Sequence, residues 1–227
     1  MNRYTLRCFA LALWVPAVCG AGPVFDTEPN DSLAGAQSVD GHFTLGFSPD
    51  IGNGTHVDNT SLTIPHVTVT GSGDGTFDYY SFTFPGPGST SGFVVLDIDY
   101  SSSSFDSRVA LWGPTGDLLG HNNDYDYRGG AGGSVPDDGG VMSSDSLMTT
   151  YITAPGRYVV GVARSTSSPG PGPIGYVGDG PLLGDAYTLQ ISVEGMPVVP
   201  EPSPGMLFAL GLASLTSLRH IKGWRGR

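Results

Sequence analysis

Cysteine is nearly absent from this sequence of 227 residues, which contains only Cys8 and Cys19. Both fall within the first 21 residues, where two arginines precede a short apolar run and small residues follow up to Ala21. This layout predicts a secretory signal peptide over residues 1–21, cleaved after Gly20 or Ala21. The exported body would then contain no cysteine, which excludes disulfide bonds and thiol chemistry from it.

Positive charge is scarce as well. Between positions 22 and 200, four arginines stand against 20 acidic residues, which gives a net charge of −16. Proteins that bind nucleic acids need basic side chains to neutralise phosphates, so this class of partner is excluded. The excess of carboxylates favours solubility and supplies ligands for divalent cations.

Catalytic patterns are missing too. The histidines of the body have no HExxH or paired spacing, and the nearest serine elbow has Thr90 at the nucleophile position. A GxGxxG that begins at Gly170 lies in a proline-rich loop with no helix after it, so it does not indicate dinucleotide binding. Asp97 and Asp99, a pair that a glycosidase could use, are expected to be solvated on one face of a strand. The sequence predicts a non-catalytic protein, with a secreted hydrolase of unrecognised carboxylate site as the alternative.

The body does contain repeated alternation of apolar and polar residues. The clearest run is DAYTLQISV, and FDYYSFTF, GFVVLDIDY, RVALW, LMTTYI and RYVVGVAR are further candidate strands. A period of two residues is what a strand with one buried face requires, and no amphipathic helix separates the runs. The predicted fold class is all-β, an antiparallel β-sandwich or barrel over residues 22–196.

Four of these local signals follow one another in a definite order. They are TEPNDSLAGAQ, FDYYSFTF, FDSRVALWGPTGDLLGHNND and DSLMTTYITAPGRYVVGV. This series resembles the bacterial pre-peptidase C-terminal domain family over roughly residues 26–194. The resemblance implies a jelly-roll-like β-sandwich that usually accompanies secreted enzymes without being the catalyst. The sequence departs from the family pattern in its longer insertions rich in glycine and proline.

The same resemblance implies a calcium site, because related collagen-binding modules bind calcium. Glu28, Asn30 and Asp31 place three oxygen-bearing side chains within four residues, and calcium takes six to eight oxygen ligands. By similarity, this segment would close around an ion together with Asp78. Asp74 is an imperfect substitute for the second partner, which relatives carry at the position where this chain has a glycine. The alternative is that Asn30 and Asp31 form turns or cap a helix.

A loop rich in glycine and aspartate follows Asn122. It lacks the glycine and glutamate that an EF-hand needs, so it is expected to be an acidic surface loop. Tyr125 and Tyr127 in this loop are candidate glycan contacts, because exposed aromatic rings can stack on sugars. Trp112 and Tyr176 are further candidates, with packing inside the protein as the alternative.

The C-terminus carries three contiguous signals within residues 197–227. A Pro-Glu-Pro motif stands first, an uncharged apolar run over residues 203–218 follows, and a basic tail over residues 219–227 ends the chain. As a helix, the apolar run would be about 24 Å long, shorter than the roughly 30 Å hydrocarbon core. The positive-inside rule predicts a cytoplasmic basic tail. The motif comprises Val199, Pro200, Glu201, Pro202 and Ser203, and the basic residues are Arg219, Lys222, Arg225 and Arg227.

This arrangement resembles the PEP-CTERM sorting signal of Gram-negative bacteria. The resemblance implies that an exosortase in the inner membrane recognises Pro200, Glu201 and Pro202 and cleaves nearby. The protein would be held transiently in the inner membrane and then reach the cell surface or the extracellular matrix. Exopolysaccharide or another envelope glycan is the expected partner. A plain C-terminal anchor and a calcium-dependent adhesin are the alternatives.

Overall fold

The computed structural model describes residues 22–48, 51, 59–86, 91–102, 104–123 and 145–199. The predicted signal peptide, Tyr125, Tyr127 and the sorting signal from Pro200 onward lie outside these ranges. All described residues belong to one compact unit, Ala21–Glu201. Within them no helix is long and apolar enough to cross a membrane.

The described part of the chain is all-β, as predicted, with twelve strands and no helix. The strands are β1 (Val24–Phe25), β2 (Gln37–Ser38), β3 (His66–Ser72), β4 (Asp78–Phe84), β5 (Gly92–Asp99), β6 (Ser107–Trp112), β7 (Leu118–Asn122), β8 (Leu147–Ile152), β9 (Gly156–Arg164), β10 (Ser168–Pro169), β11 (Tyr176–Val177) and β12 (Ala186–Val193).

Two five-stranded sheets carry most of these strands. Sheet 1 has the order β1-β3-β12-β5-β8, and sheet 2 has the order β2-β4-β9-β6-β7. Most neighbours are antiparallel, but β1 runs parallel to β3 and β2 runs parallel to β4. The prediction of a purely antiparallel fold was therefore wrong at these two edges. Each added strand is two residues long, too short for a period to appear in the sequence.

The main hydrophobic core takes side chains from both sheets, which gives the molecule its sandwich character. The four apolar positions of the DAYTLQISV run are buried in it, as the alternation predicts. Strand β4 supplies three large rings from the facing sheet. These core residues are Tyr187, Leu189, Ile191 and Val193 of β12, and Tyr80, Phe82 and Phe84 of β4.

A second apolar cluster lies on the other face of sheet 2. Tyr79, Trp112 and Tyr176 pack together in it, and the indole nitrogen of Trp112 donates to Gly170 O at 2.8 Å. Trp112 and Tyr176 are 1% and 4% exposed, so neither can stack on a sugar. The segment that follows β9 is one of the insertions rich in glycine and proline, and its β10–β11 hairpin covers this face through Tyr176.

The prediction that Asp97 and Asp99 are solvated was also wrong. Their side chains are buried, and Val95 on the same face of β5 is buried as well. Alternation correctly assigns the three residues to the face opposite Leu96 and Ile98. It cannot reveal that this outer face is itself covered, because covering segments leave no periodic signal in the strand.

Candidate metal centre

The segment after β1 crosses from one sheet to the other at the end where β4 begins. The backbone N–H of Asp26 donates to Thr70 O in β3 at 3.0 Å, and Asn30 O accepts from Tyr79 N–H in β4 at 3.2 Å. Glu28 lies between these two anchors. The anchors therefore hold the acidic residues of the segment against the start of β4.

Two groups of carboxylates form at this place and share Glu28. The first contains Asp26, Glu28 and Asp78, and the second contains Glu28, Asp31 and Asp74. Within each group, one oxygen from every carboxylate lies within 4.8 Å of the others. We call Asp26, Glu28, Asp31, Asp74 and Asp78, together with Asn30, the acidic cluster.

All five sequence-predicted calcium residues thus lie in the acidic cluster. Asp74 joins the group of Glu28 and Asp31, although its spacing departs from the one that the resemblance implies. Asp26 was missed by sequence reasoning. Its signal was its position two residues before Glu28, at the start of the region that carries the resemblance.

Asp74 and Asp31 share one hydroxyl group. Thr76 Oγ1 lies 2.6 Å from Asp74 Oδ1 and 2.8 Å from Asp31 Oδ1. The hydrogen bonds from Thr76 lower the pKa of Asp74 below its usual value. One hydroxyl has one hydrogen, so it cannot satisfy both carboxylates fully. Because its pKa is lowered, Asp74 is anionic at neutral pH.

Asp78 is the buried member of the cluster, with 0% of its surface exposed. One carboxylate oxygen, Oδ2, accepts a hydrogen bond from Tyr187 OH, while Oδ1 has no hydrogen-bond partner. Burial raises the pKa of Asp78 to about 8, against the hydrogen bond from Tyr187, and the charges of Asp26, Glu28 and Asp74 raise it further. A carboxylate in this position is costly to ionise unless a cation approaches it.

Asn30 provides a second buried oxygen without a partner. Its side chain is 0% exposed, and its Nδ2 donates to Asp26 Oδ1 at 2.8 Å. The backbone N–H of Asn30 donates to Glu28 Oε2 at 2.8 Å, so this contact uses the side chain of Glu28, whereas the predicted turn would use that of Asn30. The amide oxygen Oδ1, however, meets no donor. An unsatisfied buried acceptor is rare in folded proteins and indicates a missing partner.

A chain of hydrogen bonds leads from the cluster into the core. Tyr187 OH contacts both Asp78 Oδ2 and, at 2.7 Å, Tyr80 OH. Tyr80 OH lies 2.8 Å from Asp26 Oδ1. The two phenol hydrogens can fill only two of these three contacts. The remaining contact needs a third hydrogen, and the raised pKa of Asp78 means that its carboxyl group keeps a proton more readily than an ordinary aspartate does.

The acidic cluster has no basic partner among the described residues. The ion pair of the described part of the chain joins Arg164 to Asp185, and neither residue belongs to the cluster. No histidine or cysteine belongs to either carboxylate group, which disfavours zinc. A set of carboxylate and amide oxygens is the kind of ligand set that calcium takes, and the cluster includes two buried oxygens without a hydrogen-bond partner.

No protein-family model matches the sequence, and no curated protein matches it significantly.

Proposed function

We propose that this chain is an exported, non-catalytic β-sandwich protein of the pre-peptidase C-terminal type, stabilised by calcium at the acidic cluster and sorted through its Pro-Glu-Pro tail. The observation that carries the calcium assignment is the pair of unpartnered, fully buried oxygens, Asn30 Oδ1 and Asp78 Oδ1. Both belong to a cluster in which five carboxylates lack a basic partner among the described residues.

The strand orders support a jelly roll. In sheet 1 the order β3-β12-β5-β8, and in sheet 2 the order β4-β9-β6-β7, place consecutive long strands in alternate sheets, except that β6 and β7 are neighbours in sheet 2. Eight strands divided in this way between two sheets are the arrangement of a double Greek key.

Calcium would act as a clamp between the N-terminal segment and β4. In the first group Asp26, Glu28 and Asp78 would hold it, with Asn30 beside them. In the second group Glu28, Asp31 and Asp74 would hold it. The ion would supply positive charge to a cluster of carboxylates that has no basic partner among the described residues. Two side chains orient the carboxylates by hydrogen bonds. Thr76 contacts Asp74 and Asp31, and Tyr187 contacts Asp78.

The C-terminal end of the body supports separate sorting of the tail. Val199 is the last described residue, and its N–H donates to Phe43 O at 2.8 Å. The hydrogen-bonded body therefore extends to the residue directly before Pro200. An exosortase that cleaves near this motif would release a body able to reach the cell surface or matrix, where exopolysaccharide is the expected partner and Tyr125 and Tyr127 are the proposed contacts.

Thermal unfolding of the full-length protein in calcium and in chelator tests the metal assignment. A calcium concentration about 100-fold above Kd should stabilise the fold by about 2.7 kcal/mol, which raises Tm by roughly 5–10 °C for a domain of this size. Glu28→Gln should abolish this rise because both groups use Glu28. Glu194→Gln is the matched control, an exposed acid beside Phe93 outside the cluster. A Tm that is equal in calcium and chelator would refute the metal assignment.

Intact masses of the protein from the membrane and extracellular pools of a producing cell test the sorting. The expected extracellular species lacks both residues 1–21 and the tail beyond the Pro-Glu-Pro motif. A species that keeps Arg227 and stays in the inner membrane would show that the tail is a permanent anchor, and the matrix location would then be wrong.

A further inference from the structure

Thr68 of β3 and Gln190 of β12 meet on the outer face of sheet 1, the face opposite the core. The two residues are register partners, and Thr68 Oγ1 donates a hydrogen bond to Gln190 Oε1 at 2.6 Å. Gln190 is 3% exposed. Its amide carbon Cδ lies one C=O bond, about 1.2 Å, beyond Oε1, so the threonine oxygen is at most about 3.8 Å from that carbon. A nucleophile attacks from about 3–3.5 Å, so a small rotation of the side chains brings the two atoms into reacting range.

A histidine stands next to this pair on the same face. His66 precedes Thr68 by two residues, and side chains two apart in a strand point to the same side of a sheet. His66 is 6% exposed, and its backbone is fixed by two hydrogen bonds to Thr44, at 2.9 and 3.0 Å. A cavity of about 300 Å³ is lined by both His66 and Thr68. His66 therefore supplies a base beside the threonine hydroxyl, the role that histidine has with hydroxyl nucleophiles.

A carboxyl group lies on the other side of the glutamine. Asp97 of β5 is also a register partner of Gln190, and it is 7% exposed. Gln190 therefore lies between Thr68 in one neighbouring strand and Asp97 in the other. Its amide oxygen faces Thr68, which leaves the amide nitrogen on the branch away from the threonine oxygen. This buried row holds a nucleophile, a base, an acyl group and an acid, which are the parts that acyl transfer needs.

We propose that Thr68 and Gln190 react with each other and form an ester bond that joins β3 to β12. His66 takes the hydroxyl proton while Thr68 Oγ1 attacks Cδ of Gln190, and the Cδ–Nε2 bond then breaks. The nitrogen leaves as ammonia with that proton, and Asp97 binds it as it departs. The step exchanges an amide for an ester and needs no oxidant, reductant or further reactant. Ammonia passes into solvent, where it is protonated and diluted, so the reverse reaction is suppressed.

The ester gives the body a covalent link that the absence of cysteine otherwise denies it. Residues 22–200 contain no cysteine, so no disulfide can join distant strands there. Thr68 and Gln190 are 122 positions apart, and β3 and β12 are the first and the last of the described strands longer than two residues. A cross-link that closes so long a loop strongly restricts the unfolded chain. The proposal goes beyond the calcium clamp and the sorting signal and depends on neither.

Intact mass spectrometry of the full-length protein tests the ester directly. Loss of ammonia lowers the mass by about 17 Da relative to the sequence, with or without removal of residues 1–21. Trypsin cleaves after arginine, so Thr68 lies in the fragment that ends at Arg108 and Gln190 in the fragment that begins at Ser165. The two fragments should remain joined after digestion and denaturation, and hydroxylamine, which cleaves esters, should separate them.

Substitutions locate the bond. Thr68→Val removes the nucleophile and should restore the full mass and two separate fragments, whereas Thr68→Ser keeps the hydroxyl and should keep the link. Thr70→Val is the matched control, because Thr70 lies two residues further along the same face and is exposed, and it should stay cross-linked. His66→Phe should slow the appearance of the link in newly made protein by about 100-fold or more, because the base is missing.

Three results would contradict the proposal. A parent protein with its full sequence mass and separate fragments would overturn it. A mass deficit that persists in Thr68→Val would also overturn it, because the ammonia would then come from another residue, such as an asparagine that forms a succinimide. Equally fast cross-linking in His66→Phe would overturn the assignment of the base. The calcium shift in Tm is a separate readout, so a negative result here would leave the acidic cluster as proposed.

Discussion

The negative charges of two buried carboxylates, Asp185 and Asp78, are neutralised in different ways. Asp185 is 4% exposed and forms an ion pair with Arg164, and it also accepts a hydrogen bond from Leu182 N–H. Asp78 is 0% exposed, and its neighbours are a tyrosine and other acids. The first carboxylate is neutralised by the chain itself. The second has no positive charge from the described chain, so it needs either a proton or a cation from solution.

Among single substitutions, the largest effect is expected when the ion pair between Arg164 and Asp185 is removed. Arg164→Met leaves Asp185 buried without its cation and also removes the guanidinium bond to Ser104 O. We expect the free energy of unfolding to fall by about 3 kcal/mol, equally in calcium and in chelator, by denaturant titration. A loss confined to calcium-loaded protein would mean that Arg164 acts through the acidic cluster, and the two carboxylates would not be independent.

Asp78 should make the folded protein less stable as pH rises. Its pKa is raised from 3.8 to about 8, so between these values the folded chain keeps a proton that the unfolded chain has released. In chelator, stability should therefore fall as pH rises from 4 to 8, by at most about 1.4 kcal/mol per pH unit from this group, and level off above pH 8. Calcium should reduce the fall because it favours the ionised form.

Asp78→Asn sharpens the same prediction. It should flatten this part of the pH profile, raise stability in chelator by about 1–3 kcal/mol at pH 7 and remove the response to calcium. Denaturant titrations at several pH values measure all three effects. A variant that is less stable than the parent in chelator at pH 7 would contradict the claim that the buried carboxylate of Asp78 lacks a positively charged partner.

The smallest effect on stability is expected at the exposed edge of the cluster. Asp74→Asn should weaken calcium binding by about tenfold through the loss of one charged ligand, with stability in chelator changed by less than about 0.5 kcal/mol. Asp117→Asn is a close control, because Thr115 bonds to Asp117 as Thr76 bonds to Asp74. Calorimetric titration with calcium compares them, and an equal loss of affinity in both would refute a direct role for Asp74.

The sequence predicted the inner faces of the sheets better than the outer ones. Leu189 and Ile191 are buried as their alternation indicates. Apolar residues at every second position are enough to identify the buried face of a strand. Tyr79 is also buried, on the other face of β4. That could not be predicted, because the segment that covers this face comes from a distant loop without a period of its own.

The acidic cluster could be predicted in part. Glu28, Asn30 and Asp31 are close in sequence, so local reading finds them, and the resemblance adds Asp78. The proximity of Asp74 to Asp31 depends on how the turn before β4 folds back, which spacing alone does not reveal. The exposed turn at Leu182 and Leu183 was not predicted. The exposure of Leu183 follows from the geometry of this turn, which is set by Asp185 and its ion pair with Arg164.

The N-terminal segment adds β1 to one sheet and β2 to the other, and this has a consequence for the timing of folding. Neither short strand can dock before β3 and β4 are in place, and β3 itself pairs with β12, where Thr68 meets Gln190 across 122 residues. Long-range pairings of this kind make folding slow. The N-terminal strands of the body are thus made first but are among the last to pair, because sheet 1 is complete only after β12 has been synthesised.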